Sequence, residues 1–335
     1  MGIDLALFNN RLEFTAEWYK NTSEDLLYAV PVPEQAGVSN TTVTMNAASM
    51  NNSGFEFSAT YRNRDRDFKY ELSANLSTLR NRVTSLGFGT DSYISGAYIT
   101  NVGQEIGQFY GWAYEGIACT QEDLDNHATQ EGARIGDCLY KDVSGPDGKP
   151  DGKIDANDQV VLGSGMPKIH FGLNARFEYK RFDLSIATFG ALNYHVSDDI
   201  YNSLNSCYGW GNKEVGMLDA NRFSEDGSTY LSNVPRTYVT NSASLGWNDL
   251  FSSRKIQNAA YWKIANVELG YNFPNEWFGK YVSDVRFYVS AQNLHTFTGY
   301  HGYNVDYAGG TFTPGYNFCS YPTARTFMCG VHFTF

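Results

Sequence analysis

An Asp- and Gly-rich segment near the middle of the chain has the residue types and spacing of a calcium-binding loop. With Asp147 as the first position, Asp151 is fifth, Gly152 lies at the sharp turn, Asp155 is ninth and Asp158 is twelfth. Ca²⁺ prefers several oxygen ligands on a chain that folds around the ion, and aspartates spaced about a glycine supply them. The spacing therefore predicts a Ca²⁺ site in this loop.

Two details keep other interpretations of this segment open. Lys149 stands at the third position of the loop, and the twelfth is an aspartate, which is shorter than the usual bidentate glutamate. A second register begins at Asp142, with Ser144 third. A surface turn rich in Asp and Gly would have the same composition without binding a metal. The candidate ligands across both registers are Asp142, Asp147, Asp151, Asp155 and Asp158.

Residue patterns typical of enzymes are missing from the sequence. The six histidines show neither an HExxH pattern nor another paired metal-ligand spacing. Gly163-Ser164-Gly165 lacks the flanking residues of a nucleophile elbow, and there is no phosphate-binding glycine loop. Carboxylate pairs carry no information in a chain with 36 acidic residues. No catalytic residue is predicted.

Several aromatic residues in irregular segments could stack on sugar rings, although such residues more often pack loops against each other. These are Trp112, Tyr114, Tyr208, Trp210 and Trp247. Charged residues on the polar faces of predicted strands are expected to be solvated wall residues rather than a binding site. They are Glu13, Glu17, Glu56, Glu71, Arg176 and Glu178.

Composition narrows the class of protein. The net charge is −11, which argues against a nucleic-acid partner because such partners require a basic surface. Aromatic residues make up 16% of the chain and charged residues only 18%. Mean hydropathy is −0.40, and no apolar run approaches the ~18 residues that a membrane helix needs. A membrane helix is thus excluded, whereas membrane-spanning strands are compatible with these values because only one of their faces is apolar.

The five cysteines leave their pairing open. Cys119 and Cys138 could close a loop by a disulfide in an oxidising compartment, or all five could be thiols. The other three are Cys207, Cys319 and Cys329.

The last residues of the chain show the clearest periodicity. Phe327, Cys329, Val331, Phe333 and Phe335 fall on one face of an extended strand, and small or polar residues fall on the other. A strand with an apolar face toward lipid and a polar face toward a lumen has this pattern. The chain then ends on an aromatic residue.

Similar alternation recurs eight times before this closing strand, so that nine strands are predicted. Asn9-Asn10 and Lys180-Arg181 are expected to form two-residue turns, and residues 23–40 a loop. The connections alternate between short turns and long segments, and three of the long segments cover about 87–166, 193–260 and 298–323. This is the layout of outer-membrane barrels, which have tight periplasmic turns and long extracellular loops. The prediction is an all-β, antiparallel transmembrane β-barrel.

Short stretches across the whole chain resemble those of SusC/RagA-type TonB-dependent transporters of Bacteroidetes, and they occur in the family's order. The three cysteines at 207, 319 and 329 are not associated with that pattern. The stretches are LFNNRL (7–12), NNSGFEF (51–57), GQFYG (107–111), KDV (141–143), DGKIDAND (151–158), YVSAQNL (288–294) and YPTARTF (321–327).

The resemblance implies a barrel of about 22 strands around a plug domain, of which nine strands would be the C-terminal part. We therefore expect residues 1–335 to lack the plug and the earlier strands, and the absence of a signal peptide at Met1 agrees with an N-terminally incomplete chain.

The resemblance also implies a function, the import of glycan oligomers or peptides across the cell outer membrane. The barrel would be surrounded by the lipid of that membrane. The implied partners are the TonB complex, contacted through the missing N-terminal region, and a SusD-like surface lipoprotein. The alternative is a β-rich surface protein for binding or adhesion, without transport.

Overall fold

The computed structural model describes residues 1–31, 42–87, 89–145, 147–206, 212–215, 234–236, 246–278, 282–306, 309–318 and 320–335. The strands of the first half are β1 (Gly2–Leu7), β2 (Leu12–Pro31), β3 (Thr42–Asn63), β4 (Phe68–Thr78), β5 (Arg80–Ser85), β6 (Ser92–Ser95), β7 (Tyr98–Asn101), β8 (Gln108–Trp112), β9 (Tyr114–Ile117), β10 (Cys138–Tyr140) and β11 (Gln159–Ser164). Those of the second half are β12 (Ile169–Tyr179), β13 (Phe182–Leu192), β14 (His195–Asp198), β15 (Gln257–Asn258), β16 (Tyr261–Asn272), β17 (Asp284–Thr298), β18 (Gly309–Gly310), β19 (Thr313–Pro314), β20 (Tyr316–Asn317) and β21 (Thr326–Thr334).

Helices are short. The two α-helices are α1 (Gln121–Asp125) and α2 (Asp199–Leu204), and single 3₁₀ turns lie at Ala156–Asp158, Trp247–Asp249, Ser253–Lys255 and Asn275–Trp277. No helix among the described residues combines the length and the apolarity needed to cross a membrane.

Nine long strands form one antiparallel wall in the order β1-β2-β3-β4-β12-β13-β16-β17-β21. Each neighbour in this order is also the next long strand along the chain, and β5 adds to the edge of β3 beyond the end of β4. The nine predicted strands are therefore confirmed. Their connections alternate between short turns at one end of the wall and long excursions at the other.

The alternation of side chains sets the two faces of the wall. On the closing strand, Val331 pairs with Phe287 and Cys329 with Val289, so these apolar side chains share one face. The same face carries Trp262 and Phe297, whose rings stack 5.3 Å apart. These apolar residues are substantially exposed, and Phe333 retains 51% of its accessible surface. An apolar face that no protein element covers is what a lipid-facing wall requires.

The short turns differ in detail from their prediction. Tyr179 pairs with Phe182 across Lys180-Arg181, which confirms the two-residue turn there. At the first turn Leu7 pairs with Leu12, so the connection contains four residues rather than two. Asn9 and Asn10 both have positive φ there, as the sequence indicated, and Phe8 does too.

Residues 23–31 were predicted as part of a loop, and this is wrong. The strand β2 continues to Pro31 and pairs with β3 as far as Thr42. Register shifts between Ser23 and Leu27, together with Asp25 at φ 55°, break the regular alternation. A bulge of this kind hides a continuing strand from a period-two pattern. Residues 32–40 lie outside the described residues.

The buried apolar clusters of the described residues lie in the long excursions and where these meet the ends of the wall strands. One cluster joins the ends of β13, β16 and β17 to their loops through Ala191, Tyr194, Val196, Ala259, Tyr261, Tyr300 and Val305. A second contains Ala48, Val83, Leu86 and Ile106, and a third contains Cys138, Tyr140 and Ile154. The loops are thus folded layers above the wall, organised by small sheets of their own.

Candidate functional site

The long excursions fold over the polar face of the wall and border an open cavity of about 720 Å³. Its wall side comes from β2 and β3, where Asn21, Asn52 and Glu56 lie on the face opposite Trp18 and Phe55. The cavity is therefore on the polar, lumen side of the wall.

Three separate segments of the long excursions complete this cavity. Ile106 and Met166 come from the first excursion, which connects β4 to β12. Gly309 and Pro314 come from the third, which connects β17 to β21; the second connects β13 to β16. Gly107 and Gly165 allow the first and third excursions to meet, because a Cβ on Gly165 would lie 2.0 Å from the Pro314 carbonyl oxygen. Close backbone approach at these glycines brings the two excursions together beside the cavity.

Hydrogen bonds hold the floor of the cavity. Asn81 is buried, donates from Nδ2 to Asn52 Oδ1 over 2.7 Å, and accepts at Oδ1 from the Ile106 N–H over 3.0 Å. The Tyr19 hydroxyl donates to the Thr78 carbonyl over 3.1 Å. These groups tie β2, β3 and β5 to the first excursion and fix the cavity's shape.

Polar groups remain available inside this cavity. Neither Asn21 nor Glu56 has a side-chain hydrogen bond or ion pair within the described part of the chain, and Glu56 pairs across the sheet with Glu17. The described lining contains no Lys or Arg side chain. The cavity thus offers amide and carboxylate groups above the apolar side chains of Met50, Ile106 and Met166.

The other charged residues of the lumen face form ion pairs near the short-turn end. Arg62 contacts Glu13 (2.7 Å) and Glu71 (2.9 Å), and Arg176 contacts Glu178 (3.1 Å). Across the wall, Arg286 reaches over Gly270 to Asp183 (2.5 Å) and Glu268 (2.8 Å). Pairing of this sort agrees with their interpretation as wall residues.

The Asp-rich segment is a hydrogen-bonded turn organised around Asp158. This carboxylate is fully buried, and its Oδ1 accepts from the Val143 (2.9 Å) and Ser144 (3.1 Å) N–H groups. Its Oδ2 accepts from the Asp155 N–H over 2.8 Å. Burial alone would raise the pKa of Asp158, but these backbone donors outweigh it and the pKa is lowered.

The remaining candidate calcium ligands have different environments. Asp142 Oδ2 accepts from the Gly152 N–H (2.7 Å), whereas its Oδ1 is buried and accepts no N–H among the described residues; the Asp142 carboxyl group lies beside that of Asp158. Asp151 and Asp155 each accept a backbone N–H two residues ahead, and Asp147 is exposed. Over the residues that the structure describes, no group of three or more His, Cys, Asp or Glu is placed to hold a metal ion. The calcium site stays a prediction.

Three of the five loop aromatics pack the excursions together. Trp112 and Trp247 lie on either side of Tyr140, with ring centroids 6.5 and 6.3 Å from it, and Tyr114 packs against the same cluster. Burial raises the pKa of Tyr140. Tyr208 and Trp210 lie outside the described residues. Cys119 and Cys138 are free, so of the two alternatives left open for this pair the structure has the thiols and not the disulfide; Cys138 is buried beside Tyr140 in this cluster.

A buried polar cluster connecting the second and third excursions was not foreseen from the sequence. Tyr300 donates to Asp198 Oδ2, and Asn317 Nδ2 donates to the same oxygen over 3.1 Å. All three side chains are buried. Burial raises the pKa of Tyr300, and the Asp198 carboxylate adds to this shift. The only sequence signal is an Asp that precedes a short helix, α2, as its N-cap.

Comparison with known proteins gives consistent matches over the whole chain. No model of a known protein family matches. The chain is 31% identical over 354 residues to TonB-dependent receptor P3 of Formosa agariphila, covering 100% of this chain and 33% of that protein. It is 26% identical over 341 residues to TonB-dependent receptor SusC of Bacteroides thetaiotaomicron, covering 100% of this chain and 31% of that protein.

A solved structure of the RagAB peptide transporter matches 98% of this chain with a TM-score of 0.78 and 23% identity, over 34% of that chain. The predicted fold, an antiparallel outer-membrane barrel represented by nine strands, is confirmed by this match. The chain spans about a third of the length of the relatives it matches.

Proposed function

From the confirmed resemblance of this chain to SusC/RagA-type TonB-dependent receptors of the outer membrane, we propose that it takes part in the import of nutrient oligomers. The observation that carries this proposal is the match to TonB-dependent receptors along 100% of the chain. An outer-membrane wall with long excursions on one side and a polar lumen face is what such an importer needs.

We propose two protein partners for the whole receptor. A SusD-like surface lipoprotein would meet the long excursions, and the TonB complex would act from the periplasm. Similarity to SusC and to a RagAB structure supports the first, and the names of the curated relatives support the second.

The lumen cavity is the proposed contact site for the transported molecule. Its amide and carboxylate groups, set above apolar side chains, suit the hydroxyl and amide groups of an oligosaccharide or a peptide. The carboxylate of Glu56 and the absence of basic residues from the described lining favour neutral or positively charged oligomers over polyanionic ones. Glycan and peptide remain alternatives.

Uptake in a strain that lacks the receptor gene tests this proposal. Cells complemented with the whole receptor should accumulate labelled neutral oligosaccharides or peptides, and deletion of tonB should abolish accumulation. Binding at the surface that persists without any TonB-dependent uptake would overturn import and favour the binding or adhesion alternative.

Substitutions in the cavity then test the contact site. Asn52→Ala combined with Glu56→Gln should lower uptake at least tenfold, because both groups line the cavity. Phe57→Leu, at the next position of β3 but on the lipid side, is the matched control and should leave uptake unchanged. Equal uptake by both variants would remove the cavity from the transport path.

Ca²⁺ is the one cofactor proposed, in the Asp-rich segment. The buried Oδ1 of Asp142 supports it: this oxygen accepts no N–H among the described residues and its carboxyl group lies beside that of Asp158, an arrangement that is costly unless a proton or a cation is bound there. Both carboxylate oxygens of Asp158 already accept backbone N–H groups, and this supports the alternative of a hydrogen-bonded turn without a metal.

A further inference from the structure

Three basic side chains gather on the outer face of the wall near the long-loop end. Ser53 of β3 lies between Lys20 of β2 and Arg80 of β5 in the strand register. Directly opposed residues point to the same face of a sheet, so Lys20 and Arg80 flank Ser53 on one surface. Arg82 follows in the next row, opposite Asn51.

The strand alternation shows that this surface is the outer one. Asn81 and Val83 of β5 are buried, and Asn81 lines the lumen cavity, so Arg80 and Arg82 point the other way. On β2 and β3, the row next to Lys20 and Ser53 toward the short turns contains Trp18 and Phe55, which pair with each other and are exposed. The cluster therefore stands immediately beyond the apolar band.

All three cations are exposed and form no ion pair within the described part of the chain. Other basic side chains of the wall are neutralised on the lumen side, such as Arg62 by Glu13 and Glu71, and Lys263 by Asp306. The corresponding outward positions of β16 and β17 hold Trp262 and Phe297 instead. Three unpaired cations thus lie within two adjacent rows of the outer face, in a chain whose net charge is −11.

We propose that Lys20, Arg80 and Arg82 bind the phosphate-bearing headgroup of a lipid in the outer leaflet of the membrane. The occupant is a membrane lipid because the apolar band, where acyl chains would lie, adjoins the cations on the same face. Two guanidinium groups suit phosphate because each presents paired donors to its oxygens, and Lys20 adds a point charge.

Lipid binding by the whole receptor tests this proposal. The receptor in detergent is titrated with a phosphorylated glycolipid and with the same lipid after removal of its phosphates, and bound lipid is counted by native mass spectrometry. The combined variant Lys20→Gln, Arg80→Gln and Arg82→Gln should bind the phosphorylated lipid at least tenfold more weakly. The dephosphorylated lipid should bind both proteins equally weakly.

The control removes the same charge from exposed lysines of the first excursion, Lys141→Gln, Lys149→Gln and Lys153→Gln, and should bind lipid like the parent. Unchanged lipid binding by the combined Lys20, Arg80 and Arg82 variant, or an equal loss of binding in the control, would overturn the proposal. Displacement of the lipid by millimolar inorganic phosphate alone would also overturn it, since the cations would then select a free anion. If the triple variant fails to assemble, Arg80→Gln alone decides the question by the same titration.

Discussion

Lys263 of the wall and Asp306 of the third excursion form an ion pair, with Nζ and Oδ2 2.6 Å apart. The Lys263 side chain is only 5% exposed and its ammonium group also lies 5.7 Å from the centre of the Phe189 ring. Asp306 is 25% exposed. The pair thus anchors the excursion to the lumen face at a point where the lysine has no access to water.

Removing the acidic partner of this pair should destabilise the attachment. Asp306→Ala leaves a buried, unpaired ammonium group, and we expect a cost of about 3 kcal/mol in the stability of the whole receptor. Thermal unfolding measures it. In a Lys263→Met background the same change should cost much less than it does alone. Equal costs in both backgrounds would show that the two residues are not coupled.

The two faces of β3 should respond differently to charge. Phe57→Arg places a guanidinium in lipid and should destabilise the barrel by about 2–4 kcal/mol if the site lies near the bilayer centre. Ser58→Arg, on the lumen face, should be tolerated. Outer-membrane assembly, followed by the heat-modifiable mobility of the receptor, distinguishes the variants. Loss of assembly in Ser58→Arg alone would reverse the assignment of faces.

Replacing the Asp158 carboxylate should open its loop. Asp158→Ala leaves three buried N–H groups without an acceptor, at about 1–3 kcal/mol for each buried unsatisfied group. Hydrogen exchange should accelerate at Val143, Ser144 and Asp155. Asp147→Ala is the control, because that carboxylate is exposed and accepts none of these bonds. Unchanged exchange in the Asp158 variant would contradict this role.

The lowered pKa of Asp158 also predicts how the loop responds to acid. The folded state favours the ionised carboxylate, so its contribution is complete above the ordinary value of 3.8 and is lost as the pH falls through the lower folded pKa. Proteolysis of the loop by an acid-tolerant protease should therefore stay slow at about pH 4 and above, because the carboxylate is ionised in the folded state over that range. Rapid cleavage beginning near neutral pH would contradict the shift.

Calcium should raise the melting temperature of the whole receptor relative to the same protein in chelator, if the proposed site forms. Asp142→Asn should remove that increase, because it replaces the carboxylate whose buried Oδ1 accepts no N–H among the described residues. The control is Asp125→Asn, an exposed acid of α1 that is outside the segment. A calcium titration without any thermal shift would eliminate the metal and leave the hydrogen-bonded turn.

His195 should make the packing of β14 sensitive to pH. Burial lowers the pKa of His195 below 6.5, although a hydrogen bond with the Ser164 backbone acts the other way. The ring lies over Gly163, where an added Cβ would be 2.8 Å from Nδ1. The folded state thus favours the neutral ring, and stability falls as the pH decreases from 6.5 toward the folded pKa.

Protection factors for hydrogen exchange in β11 and β14 at pH 5.5 and 7.5, corrected for the intrinsic pH dependence of amide exchange, measure this effect. Protection should be lower at pH 5.5, and His195→Gln should remove the difference. His332→Gln, on the closing strand, should leave the difference intact. Equal protection factors at the two pH values in the parent protein would rule out this role of His195.

The wall could be predicted because its signal is local. Successive residues of a strand point to opposite faces, so Phe327 and Val331 mark a lipid face without knowledge of any distant residue. Where a bulge interrupts that period, at Asp25, the same reasoning ended β2 too early. The Asp-rich segment was recognised by composition, but only its fold showed that the oxygens of Asp158 are taken by backbone N–H groups.

The excursions could not be predicted, because their structure depends on contacts between residues far apart in the chain. Tyr140 was not singled out among the aromatic residues of the sequence. Its ring nevertheless packs against both Trp112 and Trp247, and Trp247 is 107 residues away in the chain. The partners of Asp198 lie 102 and 119 residues away. The sequence by itself determined the class of fold, the two faces of the wall and the resemblance to TonB-dependent receptors. The lumen cavity, the anchoring of the loops and the basic cluster of the outer face were decided by tertiary structure, since register and long-range packing bring those residues together.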